Sequence, residues 1–223
     1  MQTDEKDEQC LQDLFVVDPQ DDMEKIEKSK DKLLGEAYRW ILNTDEFVGL
    51  TNWGNSRSLP PCRVLCYQGH AGTGKTMLLI GIVRELSSYS AKLAPKVAQF
   101  SFQGTDQTFN TATAALRSLV WLLLVQQPHL ISHLRSKHKH AGSSLFRGDG
   151  AFISLSNAFN GMLTDPALSP VYFVFDALDE CEQGLNQMVQ LISESLDLTE
   201  KFKWLVSSRP TIRLKVPEMQ VRW

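Results

Sequence analysis

The stretch "YQGHAGTGKTMLL", Tyr67 to Leu79, places three glycines and a lysine–threonine pair between two apolar runs. Arg63–Gln68 reads as a strand that ends where the glycines begin, and Lys75 to about Tyr89 reads as the helix that follows. The spacing Gly69-x-x-x-x-Gly74-Lys75-Thr76 is that of a loop shaped to hold phosphates. Glycine permits backbone conformations that side chains forbid, and without a Cβ its N–H groups can approach an anion closely. The helix beyond adds unpaired N–H groups and the positive end of its dipole. In such a loop Gly69, His70, Ala71, Gly72, Thr73, Gly74, Lys75, Thr76 and Met77 surround the anion. Lys75 reaches the β- and γ-phosphates, and the Thr76 hydroxyl ligates Mg²⁺.

Strands and helices alternate from this loop onward. Val97–Gln103 reads as a second strand, followed by a helix from about Phe109 to Gln126 and a break at Pro128. Phe152, Leu155, Phe159 and Met162 line one helical face, and Leu185, Met188, Leu191, Ile192 and Leu196 line another. Val171–Phe175 is apolar on both faces, the mark of a central parallel strand, and Lys203–Ser207 reads as a fourth strand. The fold class expected is α/β, with a parallel sheet covered by helices on both sides. Ligands in such sheets lie at the carboxyl ends of the strands.

Two further strand ends carry chemistry. In "VYFVFDALDEC", Val171–Cys181, Asp176 follows the apolar strand directly and is placed to hold the Mg²⁺ shell. Asp179 and Glu180 follow on the exit loop. Either would polarise an attacking water as general base, with Glu180 preferred and Asp179 alternatively in the outer shell of the metal. In "KWLVSSRP", Lys203–Pro210, Arg209 stands at a strand end, where it would contact a γ-phosphate, stabilising transition-state charge or reporting its presence.

Composition bounds the function classes. The chain has 223 residues with 23 Lys+Arg against 26 Asp+Glu, so it lacks the basic excess of a nucleic-acid-binding protein. The longest apolar run, Leu119–Val125, is far short of the ~20 residues of a membrane span. An acidic start is the reverse of a secretory signal, and Cys10, Cys62, Cys66 and Cys181 form no disulfide framework. These features read as a reduced, cytoplasmic, soluble protein. Cys62-x-x-x-Cys66 lacks a second ligand pair at metal-site spacing. Residues 1–17, charged and without apolar period, read as a disordered acidic tail. Asp18-Pro19 reads as a helix start, and Ile26, Leu33, Ala37, Tyr38 and Ile41 extend its period to about Leu42. Asn43–Pro61 reads as a loop; its Phe47 and Trp53 either dock the lead helix or, for Trp53, stack on a nucleotide base. Ser132–Arg147, with His133, His138 and His140 among lysines, offers a cluster with metal-binding side chains but reads rather as a solvated, mobile connection. The domain organisation expected is a tail over 1–17, a helical lead segment and loop over 18–58, and a core over 59–223.

Taken in order, these residues resemble the NACHT branch of the STAND nucleoside triphosphatases, and within it the fungal proteins with a nephrocystin-like N-terminal domain. The resemblance runs through Asp18-Pro19, Tyr38–Leu42, Gly69–Thr76, Phe100–Asp106, Leu116–Leu119, Asp176–Cys181 and Lys203–Arg209. A small residue after the first acid, Ala177, and a second acid at Asp179 are typical of NACHT sequences. The resemblance implies a three-layer P-loop core in which the Arg209 strand lies between the glycine-loop strand and the acidic strand. That order gathers Lys75, Glu180 and Arg209 around one γ-phosphate. It implies ATP more often than GTP, a nucleotide-controlled switch, homo-oligomers through the core, and fungal incompatibility or innate-immune-like responses. The family's fifth strand begins near Val221-Arg222-Trp223, so the chain is expected to be truncated there. Three functions are weighed: a slowly hydrolysing ATP switch, a small-molecule phosphotransferase, and a non-hydrolysing nucleotide-binding module. The phosphotransferase lacks an arginine-rich lid pattern.

Overall fold

The computed structural model describes residues 5–29, 38–54, 62–88, 94–210, 212 and 219–222. Its centre is a parallel sheet of five strands: β1 (Val64–Gln68), β2 (Lys96–Ser101), β3 (Val171–Asp176), β4 (Phe202–Ser208) and β5 (Met219–Arg222), in the order β2-β3-β4-β1-β5. The Arg209-bearing strand β4 lies between β1 and β3, as the resemblance implies. The fifth strand pairs with β1 over Val64–Tyr67.

Period-two alternation divides the apolar side chains between two cores. Val64, Cys66, Phe100, Phe173, Phe175, Trp204 and Val206 face one core. Over it pack α1 (Glu5–Leu14), α5 (Ala112–Gln126), α6 (Ser132–Ala141), α7 (Ala151–Leu163) and α8 (Leu185–Ser195). Leu65, Tyr67, Tyr172, Val174 and Leu205 face the other. That face is covered by α2 (Pro19–Ser29), α3 (Asp45–Thr51) and α4 (Lys75–Ser88). The arrangement is the expected three-layer α/β/α sandwich. Gly81 in α4 admits the Tyr38 ring, since a Cβ there would lie 2.3 Å from Tyr38 Cγ.

Four expectations are corrected. Residues 5–14 are the helix α1, with Cys10 and Leu14 buried, where a disordered tail was expected. Too few apolar residues mark this helix by period. Its stabilisation comes from distant partners: Arg135 pairs with Asp7 through two hydrogen bonds of 2.9 and 2.6 Å, and His138 Nε2 lies 2.8 Å from Asp13 Oδ2. Arg117 donates to the carbonyls of Asp13, Leu14 and Phe15, capping the helix's negative end. The Cys10 thiol is pushed up to about 12 by burial, with Asp7 and Asp13 adding to the effect.

The second correction follows from the same pairs. Ser132–Arg147 is not a mobile connection but α6 followed by a 3-10 segment, Gly142–Phe146. Leu134 and His138 are buried, the His138 ring stacks on Phe146, and His133 bonds Asp165 at 2.8 Å. Third, the lead helix does not run unbroken to Leu42: Arg39–Asn43 is a 3-10 helix, while residues 30–37, with Leu33 and Ala37, lie outside the described residues. Fourth, the expected loop after Asn43 contains α3, whose N-terminus is capped by the Thr44 hydroxyl on the Phe47 N–H.

Trp53 docks on the core. Its ring packs edge-on to Tyr172 and its Nε1–H donates to the Tyr172 hydroxyl at 2.6 Å. Tyr172 lies four residues before Asp176, so about 13 Å of strand separates Trp53 from the acidic end. Beside it the buried Lys203 ammonium donates to Gly49 and Asn52 carbonyls at 3.1 and 2.6 Å, closing the end of α3. Burial lowers the Lys203 pKa to about 8. At this group the unfolded chain therefore binds more protons between about pH 8 and the ordinary value of 10.5, so the Lys203 contribution to stability rises with pH through that window, while the raised cysteine thiols act in the opposite sense above about pH 9. Lys203→Met is expected to remove this rise, a difference on the order of 1–2 kcal/mol after solvent screening. Urea midpoints of both proteins at the two ends of the window check it; parallel curves would refute it.

Candidate functional site

At the carboxyl ends of β1, β3 and β4 lies a cavity of about 340 Å³. The glycine loop forms one wall. Gly72 and Gly74 have φ of +78° and +88°, values that any side chain would strain. These left-handed residues curl the chain so that Lys75 begins α4 facing the cavity. Its ammonium is held by the Gly69 and His70 carbonyls at 2.6 and 2.9 Å, and the His70 carbonyl also accepts from Thr73 Oγ1 at 2.9 Å.

The acidic turn forms the opposite wall. Asp176, the last residue of β3, is buried, and its Oδ1 accepts from Ser207 Oγ on β4. The same hydroxyl accepts the Ala177 N–H at 2.9 Å. Ala177 is the one non-glycine residue with positive φ among the described residues, at φ 52° and ψ 46°. This conformation costs an L-residue about 1–2 kcal/mol. It turns the chain sharply into the 3-10 segment Leu178–Glu180, which brings both following acids back toward the cavity.

The two acids then part company. Asp179, nearly buried, takes the Arg209 N–H on Oδ1 at 2.8 Å and the Arg209 Nε on Oδ2 at 3.0 Å. Glu180 takes the Gly104 N–H on Oε2 at 2.9 Å, while its Oε1 stands 3.9 Å from the nearer Arg209 guanidinium nitrogen. Both oxygens of Asp179 are committed to one arginine, whereas Glu180 keeps an oxygen that no close donor claims.

Of the site residues expected from sequence, Ala71, Gly72, Thr73, Gly74, Lys75, Thr76, Met77, Asp176, Asp179, Glu180 and Arg209 line this cavity. Gly69 and His70 serve it indirectly, through the carbonyls that hold Lys75. Sequence reasoning missed three partners. Ser207 was visible at a strand end but carried no assigned role; its position two residues before Arg209 was the available signal. Gly104 and Asn110, on the loop leaving β2, gave no chemical signal of their own. Cys62 and Cys66 are both buried, and burial raises the Cys66 thiol to about 11. No group of three or more potential metal-ligating side chains occurs among the described residues, His133, His138 and His140 included. No described helix is long and apolar enough to cross a membrane.

A three-layer sandwich with a glycine loop, an acidic turn and an arginine meeting at one sheet end is P-loop-like in architecture. Residues 36–209, more than three quarters of the chain, match the family described as nephrocystin 3, N-terminal, and the chain belongs to that family. Over 205 residues, 92% of its length, the chain is 42% identical to the vegetative incompatibility protein HET-E-1 of Podospora anserina. It spans 14% of that relative's length.

Proposed function

We propose that the chain binds a nucleoside triphosphate, ATP in preference to GTP, with Mg²⁺, and hydrolyses it slowly. On this reading it is the nucleotide switch core of a NACHT-type signalling protein of fungal incompatibility or innate-immune-like response, and it self-associates through this core. The observation that carries the reading is the convergence of Lys75, Thr76, Asp176, Glu180 and Arg209 on one cavity walled by the glycine loop.

The residues present fit the metal. Thr76 and Asp176 both line the cavity and offer hard oxygen donors, and Mg²⁺ ordinarily takes one or two protein oxygens beside phosphate and water. When bound, the ion neutralises charge on the phosphate oxygens. Lys75 exchanges its two carbonyl partners for phosphate oxygens. Asp179 aims Arg209 across the cavity toward the γ-phosphate, and Glu180 accepts the proton of the attacking water. The geometry thereby favours Glu180 over Asp179 as the base, because Asp179 is occupied.

A titration with labelled ATP and GTP, with and without Mg²⁺, tests binding; no saturable binding of either would refute it. Glu180→Gln is expected to lower the single-turnover hydrolysis rate about 100-fold or more while nucleotide affinity stays near that of the wild type. An unchanged rate would remove Glu180 from this role. A second reading, a binding module without turnover, is favoured by one observation: both cations of the site are engaged within the protein, Lys75 by carbonyls and Arg209 by Asp179. Binding without hydrolysis in the same assays would select it.

A further inference from the structure

Glu180 owes its position to residues outside the acidic turn. Its side chain is 36% exposed, and the close hydrogen bond that restrains it comes from the Gly104 N–H, on the loop that leaves β2. That loop is fastened by Asn110, which is 1% exposed. Asn110 Nδ2 donates to the Gly104 carbonyl at 3.4 Å and to Glu182 Oε2 at 3.0 Å. Its main-chain carbonyl accepts the N–H groups of Glu182 and Gln183 at 2.8 and 3.3 Å. One buried amide thus grips both the residue that holds Glu180 and the segment that carries it. Asn110 Oδ1 is buried with no hydrogen-bond partner. An unsatisfied buried acceptor is costly, so the side chain sits there for what its donors hold.

We propose that Asn110 is a positioning residue for Glu180, acting through the Gly104 N–H. The proposal rests on the hydrolytic reading above. A carboxylate anchored through one oxygen presents the other in a single direction; with the loop loosened it samples several, and small misplacements of a reacting group cost rate rather than affinity. Asn110 therefore governs turnover and leaves nucleotide binding alone.

Asn110→Ala is expected to lower the single-turnover rate about tenfold or more while the affinity for Mg·ATP stays within about twofold. In a Glu180→Gln background the same substitution is expected to change the residual rate by less than about twofold, because no base is left to orient. A second variant guards against misfolding. Gly104 is the second residue of a turn closed by the Asp106 N–H on the Gln103 carbonyl at 3.0 Å, a position that proline suits. Gly104→Pro leaves Asn110 in place but removes the N–H and sets a ring carbon toward Glu180 Oε2, 2.9 Å from the nitrogen. The carboxylate must then leave its anchored position, and a loss at least as large is expected. A wild-type rate in folded Asn110→Ala or in Gly104→Pro overturns the inference, as does a full additional loss in the Glu180→Gln background. A wild-type protein that binds nucleotide and never hydrolyses it overturns instead the hydrolytic reading.

Discussion

Lys75→Ala is expected to weaken Mg·ATP binding about 100-fold or more, the largest effect on nucleotide affinity among the substitutions proposed in the site. In the absence of a ligand the ammonium is satisfied by the Gly69 and His70 carbonyls, so it stands ready inside the loop without an unpaired charge. Phosphate oxygens are better partners than carbonyls because they carry charge. Hydrogen bonds to charged groups contribute about 1.5–3 kcal/mol each, and two of them account for the predicted loss. Alanine at this position leaves the α4 backbone intact, so the melting temperature of the variant should stay close to that of the wild type. Calorimetric titration of both proteins decides the matter: equal affinities would mean that the glycine loop does not bind phosphate.

The largest expected effect on stability lies at Trp204. It is fully buried in the middle of β4, with the rings of Phe159, Phe173, Phe175 and Phe202 around it. Its Nε1–H donates to the buried Ser195 hydroxyl at 3.1 Å, so the one polar atom of the ring is also satisfied. Trp204→Ala removes those packing contacts, opens a cavity between β4, α7 and α8, and takes one donor from Ser195, whose hydroxyl keeps its bond to the Ile192 carbonyl. A loss of about 3–5 kcal/mol is expected. For a chain of this size that corresponds to a fall in Tm of roughly 10–15 °C. Thermal unfolding followed by tryptophan fluorescence and by circular dichroism measures it. Because Ser207 and Arg209 lie on and just after the same strand, nucleotide binding should weaken together with stability. A shift of only a degree or two would mean that β4 is not the central strand its burial indicates.

Local pattern was sufficient for four of the strands and for the glycine loop and acidic turn that wall the site. The glycine loop, the apolar strands and the acids after Val171–Phe175 are contiguous signals, each written within a dozen residues. Short-range physics dictates them: glycine where φ is positive, unbroken apolar runs where both faces are covered, and carboxylates where a strand stops. The strand order followed from the family resemblance and not from any period in the chain.

What pattern did not reveal was set by contacts between residues far apart in the chain. The first helix holds because Arg117, Arg135 and His138 reach it from more than a hundred residues away, and no local period announces such pairs. The same partners turn the histidine-rich stretch from an expected solvent-exposed connection into a docked helix. Within the site, two adjacent acids with the same chemistry acquire different partners: Asp179 meets Arg209, and Glu180 meets the Gly104 N–H. Adjacent carboxylates are equivalent on paper. The left-handed turn at Ala177 and the neighbouring strands make them different, because only a folded backbone brings a particular donor within 3 Å of one oxygen and leaves the next one open.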